Sequence, residues 1–206
     1  MVVIEFFSNS AYGIIGPVFA IFVATGIEGG NAQVAGFAVA IYLVVKAIVQ
    51  LPIARMLDRT PSERDDYWIY IGSMLLFAVG TFTYLLVKTP LHVYGLQVIL
   101  GVAYAMNMAA LYGIFSRHLD KHLEGSEWSL FSVFSFSVGS ALAGAIGGTL
   151  AVAYGFHLLF IISGTAYLIG ALLTAILLRP HLKGVSGPGA HRAYFLRDHE
   201  KSHRHL

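Results

Sequence analysis

Polar side chains recur at helical spacing inside long apolar runs, and there this sequence can do chemistry. Glu5, Asn9 and Tyr12 stand at i, i+4 and i+7, on one face of a helix. Burial raises a carboxyl's affinity for protons, so Glu5 can load one and release it when its surroundings change. The competing reading leaves Glu5 wet at an interface, close to the chain start. Lys46 and Gln50 also stand at i, i+4. Lys46 can pair with Glu5, directly or across a dimer axis, in a bridge that breaks on protonation, or its stem can snorkel and carry the ammonium to the interface. Gln97 and Tyr104 share a face at i, i+7, and Asn107 is offset by one from Met108, which continues that stripe. Amides and phenols of this kind bind sugar hydroxyls; they equally cross-link helices. Ser126, Ser129, Ser132 and Ser135 recur every third residue, and such hydroxyls can bond back to their own helix. Trp128 reads as an interfacial anchor or as a stacking platform for a sugar ring.

The elements that position these groups are membrane helices. The chain is 57% hydrophobic and 12% charged, against roughly 25% charged in a soluble domain. Runs of about 20 apolar residues are long enough to cross a bilayer. Six are expected, at Val2–Thr25, Gln33–Ala54, Tyr67–Val87, Leu91–Phe115, Trp128–Ala153 and Phe156–Leu178. The fold class is therefore an all-α, multi-pass integral membrane protein, with a six-helix domain over residues 1–180 and a polar, basic tail over 181–206. The first apolar run is too long, and lacks the basic lead-in, for a cleaved signal peptide. With both termini inside, 11 of the 13 Lys and Arg residues fall on the inner side; the outer loops hold only Lys88, and Lys46 lies within a span. The positive-inside rule then gives an N-in, C-in layout, with the tail in the cytoplasm.

Enzymatic, cofactor and metal chemistry find no support. There is no cysteine, no nucleotide loop, and His118 and His122 at i, i+4 lack a third ligand. Nothing specific points to nucleic acid.

One charged stretch carries a family signature. Ala54-Arg55-Met56-Leu57-Asp58-Arg59 resembles the G-x-x-x-D-R/K-x-x-R/K loop between the second and third helices of the major facilitator superfamily, with Arg64 as the trailing base. Six spans in this layout resemble one half of such a transporter, built of two three-helix units. A trace of the inner repeat is seen in Tyr12-Gly13-Ile14-Ile15 and Tyr112-Gly113-Ile114-Phe115, or these are similar by chance. The run Gly139 to Gly148 looks like the Gly-rich fifth-helix motif of drug antiporters without its Pro, and reads more simply as a small-residue packing face.

The resemblance implies a secondary transporter in the plasma or inner membrane, with helices one and four lining the cavity. It makes Glu5 and Lys46 candidates for proton coupling. Asn9, Tyr12, Gln50, Gln97, Tyr104, Asn107 and Trp128 become candidates for a small polar substrate, a sugar among them. It makes Arg55, Asp58, Arg59 and Arg117 a conformational gate, with Asp58 meeting the fifth-helix start, Ser126–Trp128, of a facing half. One half makes no alternating-access pathway, so a homodimer with the substrate site on its axis is expected. A heterodimer and a piece of a longer protein are the other arrangements. An efflux transporter for amphiphiles and a non-transporting membrane subunit remain as other functions.

Overall fold

The computed structural model describes residues 2–60, 62–119 and 123–178. The expected tail, residues 181–206, and Lys121, His122 and Arg179 lie outside the described residues. Among those described, every regular element is helical. Six helices are long and apolar enough to cross a membrane: α1 (Val3–Gly26), α2 (Ala32–Asp58), α3 (Glu63–Leu86), α4 (Pro90–Arg117), α5 (Gly125–Tyr154) and α6 (Phe156–Leu178).

Local chemistry sets the boundaries. Asn31, Ser62 and Thr89 cap the starts of α2, α3 and α4, each side chain accepting a backbone N–H of the first turn. Gly29 turns the chain at φ +74° and Gly155 at φ +79°, where a side chain would be strained. Pro17 cannot donate a backbone hydrogen bond, and α1 tightens to a 3-10 turn over Gly16–Val18 at that point. In α5 the segment Ser132–Val138 widens to a π-helix. The charged stretch after α2 differs from its expected form. Helix α2 runs on to Asp58 and α3 begins at Glu63, so Glu63, Asp65 and Asp66 are helical rather than loop residues. A Ser62 cap followed by three acidic residues in the first turn favours that early start, because carboxylates suit a helix N-terminus.

The principal packings are α1 on α5 and α6, α4 on α2 and α3, and α3 on α6. Exchanging α1 with α4, α2 with α5 and α3 with α6 leaves this pattern unchanged. That is the signature of two equivalent three-helix units. Two close helix approaches obey the same exchange. A Cβ on Gly13 of α1 would stand 2.8 Å from the Ser140 backbone of α5, and one on Gly101 of α4 would stand 2.8 Å from the Tyr42 carbonyl of α2. The repeat thus aligns Gly13 with Gly101. Gly113, in the similar Tyr-Gly-Ile stretch, faces Asp66 of α3 instead.

The run Gly139 to Gly148 is a packing face. Gly139, Ala143 and Gly147 are buried at i, i+4, i+8, and a Cβ on Gly147 would meet the Ile14 carbonyl of α1 at 2.3 Å. By contrast α2 buries little of itself, leaving Phe37, Val39, Leu43, Val44, Ile48 and Leu51 exposed.

Candidate functional site

Two adjoining cavities open among the helices. One, of about 220 Å³, is lined by Glu5, Asn9, Tyr12, Lys46, Tyr104 and Asn107, with Ser8, Ser140 and Met108 beside them. The other, of about 250 Å³, is lined chiefly by apolar and aromatic side chains, with Gln97 and Thr81 as its polar groups. Tyr12, Tyr42, Leu43, Phe77 and Tyr167 line both.

Glu5 is fully buried. Its Oε2 accepts from Asn9 Nδ2 at 2.8 Å, and its Oε1 accepts from the Tyr70 hydroxyl of α3. Asn9 Nδ2 also reaches the Glu5 carbonyl at 2.9 Å, so the i, i+4 pair is locked to its own helix. Behind Tyr70 the network continues. Ser73 donates to the Tyr70 carbonyl at 2.7 Å, and Asn107 of α4 donates to Ser73 Oγ at 3.3 Å. The wall is fastened to its neighbours by Ser140, which donates to the Asn9 carbonyl at 3.3 Å, and by Ser163, which donates to the Ala11 carbonyl at 2.6 Å. A carboxyl, three helices and a cavity are therefore joined by one chain of hydrogen bonds.

Within the chain, Lys46 meets Tyr104 rather than Glu5. Its Nζ lies 4.2 Å from the centre of the Tyr104 ring, a cation–π contact. Arg117 pairs with Asp66 and His118 Nδ1 stands 3.8 Å from Glu63, and a Glu5–Lys46 bridge within the chain is not among the ion pairs described. The aromatic wall is continuous: Tyr42 and Phe77 meet Tyr104 edge-on, and Phe77 stacks on Tyr167 at 4.8 Å.

An inverted pair of three-helix units around a polar cavity is the architecture of one half of a secondary transporter. The family model described as Major Facilitator Superfamily matches residues 1–202. The chain belongs to that superfamily. No curated protein matches the sequence. Membership in the Major Facilitator Superfamily implies a membrane transporter.

The remaining superfamily candidates lie elsewhere. Gln97 lines the second cavity and is nearly buried. Gln50, one turn beyond Lys46, lines neither cavity. Trp128 does not reach them either. It packs on Phe115 at 4.5 Å and against Tyr112 and Phe131, a ring cluster at the end where α1 begins. At that same end Asp58 closes α2 and Arg59 caps it, both exposed, as are Arg55 and Ser126. Arg117 is bound within the chain, to Asp66.

Tyr70, Ser73, Glu63 and Asp66 were not legible as site residues. Their signal is a stripe along α3: Asp66, Tyr70, Ser73, Phe77 and Thr81 recur at i, i+4, i+7, i+11 and i+15, and all five are buried. A span begun at Tyr67 cuts off the head of that stripe.

Proposed function

We propose that the protein is a proton-coupled secondary transporter of a small polar solute, working by alternating access, with Glu5 as the proton-carrying group. One observation carries this reading. The polar cavity lies on the flank of the six-helix unit, and its wall is open there: Tyr12 is 50% exposed, with Asn9, Lys46 and Tyr104 partly so. Polar and charged groups at mid-membrane depth do not face lipid but a bundle interior or a watery cavity. A second six-helix unit must then stand opposite. A second copy of this chain can supply it, related by a two-fold axis along the membrane normal, which closes the assembly as a dimer.

The end bearing Arg55, Arg59, Arg64 and Arg117 then faces the cytoplasm, with Lys88 outside. Exposed Asp58 would meet the N-terminal turn of the facing α5 at Ser126, where free amides and the dipole favour a carboxylate. Inside the cavity, Glu5 sits between two donors, so protonation trades a charge-assisted acceptor for a neutral group and loosens the Asn9 and Tyr70 contacts.

The test has two parts. The purified particle should have twice the 22.3 kDa chain mass after correction for lipid. In liposomes with an imposed pH gradient, a radiolabelled panel of hexoses, amino acids and carboxylates should show accumulation of at least one compound. Glu5→Gln should abolish accumulation while leaving exchange of the same compound across the membrane. A stable monomer, or gradient-driven accumulation by Glu5→Gln, refutes the reading.

A further inference from the structure

Lys46 is 14 residues from Ala32 and 12 from Asp58, the ends of α2. Twelve residues of helix span about 18 Å, beyond the reach of a four-carbon stem, so its ammonium reaches neither end of α2. A charge at that depth needs a partner. Tyr104 supplies a ring face at 4.2 Å. Glu5, the carboxyl of the same cavity, has its two oxygens engaged by Tyr70 and Asn9. The other polar groups around Lys46 are neutral: Asn9, Tyr12, Asn107 and Ser140. The cavity therefore offers one cation with no bridged anion among the described residues. A neutral sugar leaves Lys46 without a direct ion partner, while a carboxylate provides one.

We propose that Lys46 and Tyr104 form the head-group site for a substrate carrying a carboxylate on an apolar, aromatic body. The body lies along Tyr42, Phe77 and Tyr167, which line both cavities and lead into the apolar one. Aromatic rings there give edge and face contacts to a substrate ring. The ammonium donates to the carboxylate in a charge-assisted hydrogen bond, the polar contact that fixes its direction. This inference rests on the transporter reading and names the substrate class for the same cavity.

The test uses three probes of one shape: benzoate, benzamide and benzylammonium. Binding to the purified full chain in nanodiscs is measured by calorimetry at neutral pH, where benzoate is ionised. Benzoate should bind about tenfold or more tighter than benzamide, the scale of one charge-assisted hydrogen bond, and benzylammonium should be the weakest. Lys46→Gln should remove the benzoate preference, while Lys46→Arg should keep most of it. Equal binding of benzoate and benzamide, no binding of benzoate, or a preference that survives Lys46→Gln overturns the inference. The wild-type comparison decides on its own if a variant misfolds. Uptake separates the two readings. Accumulation of a sugar without any benzoate preference overturns the inference alone. A Lys46-dependent benzoate preference, with no transport of any compound, overturns the transporter reading alone.

Discussion

Replacing Arg117 with Met should destabilise the bundle far more than replacing its partner Asp66 with Asn. Asp66 has no exposed surface, whereas the Arg117 side chain is 29% exposed. Removing the guanidinium strands a carboxylate whose Oδ1 already has no hydrogen-bond partner, between the helices α3 and α4. Breaking a buried ion pair from one side costs about 3–5 kcal/mol. Water at the Arg117 side of the pair reduces that, so about 2–3 kcal/mol is expected here. Asp66→Asn removes the buried charge itself and leaves an arginine that water can reach, at about 1 kcal/mol. The double variant should cost less than the sum, with a coupling of about 1–2 kcal/mol. Thermal unfolding in detergent, followed by the fluorescence of Trp68 and Trp128, measures all three proteins. By the scaling for domains of this size, Arg117→Met should lower Tm by roughly 4–12 °C. Equal losses for the two single variants, or strict additivity in the double, would refute the claim that a buried carboxylate depends on this guanidinium.

Three further outcomes follow from the same geometry. Gly13→Ala drives a methyl onto the Ser140 backbone and should cost about 1–3 kcal/mol in the same unfolding assay, while Gly148→Ala, with nothing within 4 Å of its added carbon, should stay within about 0.5 kcal/mol of the parent. Tyr70→Phe strips the donor from Glu5 Oε1 and should cost about 1–3 kcal/mol; a neutral result in the unfolding assay would mean that the hydroxyl is not a partner of Glu5. Asp58→Ala should leave folding intact, because the side chain is exposed, but shift the balance of inward- and outward-open states in spin-label distance measurements and slow transport. Unchanged populations and rates would remove Asp58 from the gate.

Periodicity and hydropathy act along the chain, and what depends on them was legible from it. Each crossing helix needs about 20 apolar residues, and the six runs stand out because charged residues are sparse within them. The face on α1 was legible too: Glu5, Asn9 and Tyr12 line one cavity, whereas on α4 the expected pair divides, Tyr104 lining that cavity with the offset Asn107, and Gln97 lining the other. The partners of these faces were not. That Glu5 would take Tyr70, 65 residues away, and that Lys46 would take the Tyr104 ring, depends on how the helices sit beside one another. The boundary at Glu63 was missed because acidic residues read as loop by charge, although a helix N-terminus stabilises them.

The sequence by itself determined that this is a six-helix membrane protein with polar stripes on its first and fourth helices, because a bilayer forces every span to satisfy its own backbone and to display its few polar groups on one side. Only the tertiary structure decided that Gly13 and Gly101 are the equivalent contacts of two three-helix units, that Asp66 is buried against Arg117, and that Lys46 faces a cavity beside an already engaged Glu5. Those facts are distances between helices. Without water to drive the spans together, their neighbours are chosen by close packing of small residues and by interhelical hydrogen bonds, which no spacing along one helix encodes.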